Sequence, residues 1–110
     1  MVKQGDIIFI DFETGAGHEQ KGRRPVIVIS NHLFNHFSGL AMVCPITHTD
    51  KNHPFHVKLE ETLKTKGVVL CDQARILDIT ARNSSFVERV SLDFVSKLSD
   101  IISGFVEVIK

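Results

Sequence analysis

The chain has 110 residues, with 13 Lys+Arg against 13 Asp+Glu, six His, two Cys, eight Phe and neither Trp nor Tyr. That length suits one domain, residues 1–110, and a composition 43% hydrophobic and 24% charged belongs to a folded globular protein, not a disordered one. Zero formal net charge excludes a generic polyanion binder, which needs a large basic excess.

No apolar run reaches the roughly 18–20 residues of a membrane span, so no membrane partner is expected. The start lacks the charged-then-apolar order of a secretion signal, with acids at Asp6 and Asp11. Cys44 and Cys71 each sit inside an apolar run without zinc-type spacing, so they are read as buried thiols in a reducing, cytoplasmic compartment.

Along the chain, Ile7–Phe12 is β-branched and alternating, which predicts a strand running into a long polar loop that extends to Arg24. Pro25 introduces Val26–Ser30, a nearly continuous apolar run expected of a strand buried on both faces. Asn31–Gly39 has no clear period and allows a helical turn. Leu40–Ile46 predicts a third strand, with Pro45 marking a bulge or an edge position. Phe55–Leu59 alternates, Glu60–Lys66 reads as a helical or irregular turn, and Gly67 opens Val68–Leu70 as a further strand. Arg75–Thr80 continues the sheet after Asp72-Gln73, and Ser85–Val90 is a weaker strand. Val95, Leu98, Ile102, Phe105 and Ile109 recur at helical spacing, with Ser91 or Asp93 as N-cap and a break conceivable at Gly104. About six short strands and one terminal helix predict a mainly β (α+β) fold, a small, strongly twisted antiparallel β-barrel.

The segment His18-Glu19-Gln20-Lys21-Gly22-Arg23-Arg24-Pro25 packs an acid, an imidazole and three cations into a loop entering a buried strand. Arg24 stands just before that strand, and its planar guanidinium offers paired donors to a phosphate. Glu19 can take a proton from a hydroxyl, or simply pair with a neighbouring cation in a solvated loop. Pro45-Ile46-Thr47-His48-Thr49 ends the third strand with two hydroxyls and an imidazole, suited to a phosphate, although turn chemistry also explains them. The six His lie within about 40 residues but lack metal-ligand spacing with convergent acids, so no metal and no cofactor is expected. His18 and His48 are the two candidates for acid–base work.

Several pieces in order resemble the MazF/PemK family of toxin endoribonucleases: Gly5-Asp6-Ile7-Ile8, then Glu19-Gln20 with Gly22 and Arg24-Pro25-Val26-Ile27-Val28-Ile29-Ser30, then Pro45-Ile46-Thr47, and finally Asp72-Gln73. The Glu-Gln-x-Gly-x-Arg-Pro block before a buried strand is the most specific of these. The resemblance implies a Src-homology-3-like barrel and the toxin component of a type II toxin–antitoxin pair. It further implies a sequence-specific, metal-independent endoribonuclease that cuts single-stranded RNA, leaving a 2′,3′-cyclic phosphate and a 5′-hydroxyl. On that pattern Glu19, Arg24 and Thr47 are the catalytic residues: base, phosphate clamp and hydrogen-bond donor. Arg75 meets the basic position that follows Asp-Gln, and Arg82 joins it as a candidate for RNA contact.

Gln20, Lys21, Arg23 and Thr49 are further RNA-binding candidates. Without Trp or Tyr, base stacking falls to Phe, His or Arg planes, with Phe37, Phe55 and His56 as candidates and Phe9, Phe94 and Phe105 assigned to the core. Asp72 and Gln73 read as structural. His18 departs from the family's usual small residue and places an imidazole beside the proposed base. The implied partners are single-stranded RNA, a second copy of the chain in a homodimer, and an antitoxin with an acidic, disordered C-terminal segment.

Two other functions fit such a fold, a non-catalytic RNA-binding barrel and a CcdB-type gyrase poison. The latter acts through an apolar, Trp-containing end that this chain lacks. The net charge is also unevenly spread. Gly15–Lys58 carries five cations, two acids and all six His, so a locally positive stretch holds every proposed catalytic residue.

Overall fold

A computed structural model describes residues 1–12 and 22–110. Two antiparallel strands begin the fold, β1 (Asp6–Asp11) and β2 (Arg23–Val28), paired from Ile7↔Ile27 to Asp11↔Arg23. Both are rich in β-branched residues, which suit a pleated surface packed on both sides. Gly5 precedes β1 at φ +95°, and its N–H donates to the Val28 carbonyl at 2.7 Å. The buried Asp6 accepts from the Arg89 guanidinium at 2.7 Å and from the Lys3 N–H at 2.8 Å, so its charge is paired.

Helix α1 (His32–Ser38) follows. The unclear period of this stretch hid a full helix, although both caps were present: the Asn31 side chain accepts from Phe34 N–H at 3.0 Å, and Gly39 takes φ +72°. The buried Asn35 trades hydrogen bonds with Ser30, whose Oγ also accepts the Met42 N–H at 2.8 Å. That knot fastens α1 to the sheet.

Strand β3 (Ala41–Thr47) is the trunk of the sheet. It pairs with β2 on one side and, on the other, first with β6 (Arg75–Leu77) and then with β5 (Val68–Leu70). Pro45 is buried and paired with Val26, not at an edge. It is tolerated because β3 changes neighbour between Val43 and Ile46, where no ladder needs its missing N–H. Strand β4 (His56–Lys58) adds to β5, and β7 (Ser85–Arg89) adds to β1 with a register shift at Ile7/Ile8.

The path runs β4-β5-β3-β2-β1-β7 with β6 on the flank of β3. Among the described residues the sheet thus has seven antiparallel strands where about six were expected, and it is open, so the barrel description is loose. Helix α2 (Leu92–Phe105) closes one face, capped by Ser91 Oγ accepting the Phe94 N–H at 3.1 Å. It continues through Gly104 without a break and ends one residue later.

Because successive strand residues face opposite sides, the sheet carries two cores. Phe94, Val95 and Leu98 of α2 pack on Ile7, Ile27, Ile29, Cys44, Val69 and Cys71. On the reverse face lie Ile8, Ile10, Phe12, Val26, Val28, Ala41, Val43 and Ile79. Phe94 is core as expected, but Phe9 and Phe105 are 37% and 42% exposed. Phe9 lies past the helix-covered cluster on its face, and Phe105 sits where α2 leaves the sheet. Cys44 and Cys71 are free, buried thiols, and their contact, then burial, pushes the Cys44 thiol up.

Candidate active site

The reverse face of the sheet gathers the basic residues. Arg24 shares the parity of Val26 and Val28, so its side chain leaves β2 on that face, opposite Ile10 of β1. Phe12 ends the row Ile8, Ile10, Phe12 and is buried. The Arg24 guanidinium carbon lies 5.8 Å from the centre of that ring, and the Arg75 carbon lies 4.4 Å from it. Arg75 reaches it from β6, where it stands opposite Val43. Both distances are within cation–π range, so one aromatic ring positions two guanidinium groups at an exposed surface.

Thr47 completes the group. The β2–β3 register runs Val28↔Val43, Ile27↔Cys44, Val26↔Pro45, and the same register carried on sets Arg24 across from Thr47. Thr47 Oγ1 accepts the Thr49 N–H at 3.3 Å, which orients the hydroxyl. An oxygen that accepts in this way still has its own hydrogen to donate. Two fixed cations and an oriented hydroxyl on one sheet face make an oxyanion-binding surface that suits a phosphodiester.

Other residues singled out in the sequence fall elsewhere. Arg23 leaves β2 on the opposite face, paired with Asp11 at 3.2 Å and donating to Phe9 O and Ser85 Oγ. It clips β1 to its neighbours. Arg82 donates to the carbonyls of Asp11 and Phe12, so it fixes the end of β1 and with it the shared ring. It is a positioning residue in this arrangement. His48 has the parity opposite to Thr47 and lines a separate cavity of about 290 Å³ with Asp50, Lys58, Glu60 and Lys66. Thr49 is exposed in the turn beyond β3, and Phe37 is exposed on α1.

Phe55 packs edge-on against Phe105 with centroids 4.8 Å apart. The His56 side chain is only 12% exposed and its Nε2 lies 3.2 Å from Asp72 Oδ1, which removes it as a stacking platform. Asp72 is the middle residue of a 3-10 turn, Cys71–Gln73, between β5 and β6, and its carboxylate meets His56 of β4 instead of bonding within the turn. His18, Glu19, Gln20 and Lys21 lie outside the described residues. The role of Phe12 was missed in the sequence, yet its parity with Ile8 and Ile10 was the available signal.

Residues 3–105 match the family of PemK-like, MazF-like toxins of type II toxin–antitoxin systems. The chain belongs to that family. It is 37% identical to endoribonuclease PemK of Escherichia coli over 93 residues, which covers 81% of this chain and 70% of that one. It is 36% identical to endoribonuclease toxin MazF of Escherichia coli strain K12 over 81 residues, covering 74% and 72%. A MazE–MazF crystal structure from Deinococcus radiodurans superposes with a TM-score of 0.86 at 33% identity, covering 96% of this chain and 95% of that one. Family membership agrees with the open antiparallel sheet and its C-terminal helix. Among the described residues no helix is long and apolar enough to cross a membrane.

Proposed function

We propose that this chain is the toxin of a type II toxin–antitoxin pair and an endoribonuclease that cuts single-stranded RNA at short recognition sequences without a metal ion. The observation that carries this reading is the gathering of Arg24 and Arg75 on the Phe12 ring, with Thr47 on the same sheet face by the β2–β3 register. Membership of a family whose curated relatives are endoribonucleases supports it.

In this mechanism the RNA supplies its own nucleophile. Glu19 takes the proton of the 2′-hydroxyl, whose oxygen attacks the adjacent phosphorus. Negative charge grows on the non-bridging oxygens of the phosphorane, and Arg24, Arg75 and the Thr47 hydroxyl stabilise it. The 5′-oxygen departs with that proton, passed on from Glu19 through the neighbouring His18, leaving a 2′,3′-cyclic phosphate. Arg24 acts as a charge and a donor, because a guanidinium rarely gives up a proton.

The partners follow the same reading: a second copy of the chain in a homodimer, and an antitoxin whose acidic segment covers the basic face, in the cytoplasm.

The test is incubation of a long single-stranded RNA with the protein in EDTA, followed by mapping of the new ends. Discrete cuts ending in cyclic phosphate are expected, with Arg24→Ala slower by roughly 10²–10³-fold. Intact RNA, or cutting unaffected by Arg24→Ala, overturns the assignment; RNA bound but uncut points to the non-catalytic barrel.

A further inference from the structure

We propose that His53, His56 and Asp72 form a binding site for a divalent transition-metal ion of the zinc type, separate from the phosphate-binding face. The two histidines are spaced His-x-x-His, and the acid is brought to them from 16 residues beyond His56. One ligating atom from each of the three lies within 4.8 Å of the other two. Tetrahedral zinc, with bonds of about 2.0–2.2 Å, sets its ligand atoms about 3.4 Å apart. His56 Nε2 and Asp72 Oδ1 already stand at 3.2 Å, so an ion replaces the proton they share with little movement.

The backbone holds these positions. His56 N–H donates to the His53 carbonyl at 3.0 Å, and Cys71 N–H donates to the Phe55 carbonyl at 3.1 Å. His56 is paired with Leu70 across β4 and β5, two residues before Asp72. The His53 and His56 rings stack at 4.5 Å between centroids. His53 is exposed, so its ring is free to turn toward the ion, exchanging its Nδ1 contact with the Phe55 N–H. Among the described residues, His56 Nδ1 is buried without a hydrogen-bond partner. The Asp72 contact at Nε2 is therefore the ring's one hydrogen bond among the described residues, and it leaves that nitrogen facing the acid where an ion would sit.

The donor set decides the metal. Two imidazole nitrogens and one carboxylate suit zinc, cobalt or nickel, and suit magnesium or calcium poorly. Three protein ligands leave the fourth position to water. Phe55 lies between the two histidines and packs on Phe105 of α2, so the ion staples the loop after β3 to the 3-10 turn and to the helix end. This role is structural and takes no part in RNA cleavage.

The experiment titrates the intact, metal-stripped protein with zinc by calorimetry and with cobalt by visible absorption. One ion per chain, the intense visible bands of four-coordinate cobalt, and a rise in unfolding temperature with zinc but not magnesium are expected. His53→Ala and Asp72→Asn change exposed side chains, keep the native circular dichroism, and weaken zinc binding at least about tenfold. Absence of stoichiometric binding overturns the site, as does binding unchanged in both variants. Binding that survives His53→Ala but is lost in His32→Ala also overturns it, by moving the ion to the His32–His36 pair on α1, whose rings stand 5.7 Å apart.

Discussion

Gly67 passes so close to Thr47 that a Cβ built on it would lie 2.2 Å from the Thr47 carbonyl oxygen and 3.0 Å from its carbonyl carbon. Its φ of +126° is also one that side-chain-bearing residues rarely adopt. The neighbour is backbone and cannot swing aside. Gly67→Ala therefore forces β5 away from the end of β3 and is expected to cost about 3 kcal/mol, measured by denaturant unfolding. RNA cleavage should fall further than stability explains, because the displaced residue is Thr47 itself.

Arg75 was placed among RNA contacts from its position after Asp-Gln, and the fold puts it beside Arg24 on the Phe12 ring. A charge-assisted hydrogen bond to phosphate contributes about 1.5–3 kcal/mol, so Arg75→Ala should lower kcat/KM by roughly 10–100-fold. Arg75→Lys should restore only part of this, since an ammonium neither stacks as a plane nor donates in pairs. Steady-state cleavage of a short RNA containing the recognition sequence gives both values.

Glu88 anchors the Glu60–Lys66 turn to β7. Its carboxylate accepts from Thr65 Oγ1 at 2.6 Å and from the N–H groups of Thr65 and Lys64 at 2.7 and 3.0 Å. Desolvation by itself raises the carboxyl's pKa, but these hydrogen bonds and the Lys64 charge outweigh it and hold it below its ordinary value of 4.5. The native state thus favours the ionised form more than the unfolded chain does. The stabilisation is present above about pH 4.5 and is lost as pH falls through the lower native value. Glu88→Gln should flatten that acid limb in unfolding free energy measured from pH 6 downwards.

The two thiols give a fourth test. Cys44 and Cys71 are both fully buried in the core beneath α2, and burial keeps a thiol unreactive. A thiol reagent should label neither under native conditions except at the rate of opening, and both at once in denaturant. Fast labelling of one would show that α2 opens locally.

Gly104 lies in the last turn of α2, and a Cβ there meets nothing within 4 Å. Gly104→Ala should stabilise the protein by about 0.5–1 kcal/mol, because it removes backbone freedom from the unfolded chain without a clash. Thermal unfolding of the pair measures it.

Much of this fold was readable because the strands are short and β-branched. Val26–Ile29 was recognisable as a strand buried on both faces, and the alternation places Val26 and Val28 in one core, Ile27 and Ile29 in the other. Helix α1 was obscured because its buried polar residue, Asn35, breaks the apolar period, while its caps at Asn31 and Gly39 stood in plain view. Phe9 and Phe105 were misassigned because hydrophobicity says nothing about where a covering element stops. Of the candidate site, Arg24 and Thr47 were singled out through motif and order. The pairing of Arg24 with Arg75 over Phe12 was not, because it depends on β6 adding to β3, a long-range register that no local pattern encodes.

Arg24 and Thr47 are 23 residues apart in the chain, yet they sit on adjoining strands whose ladder ends only two residues short of them. The entropy lost in bringing such distant groups together is incurred when the protein folds, not when RNA arrives. Their spacing is a property of the main chain, so under the proposed function substrate meets a pair that needs no rearrangement to act together. Mutations that loosen β2 from β3 should consequently act as catalytic mutations, even where no side chain of the site is touched.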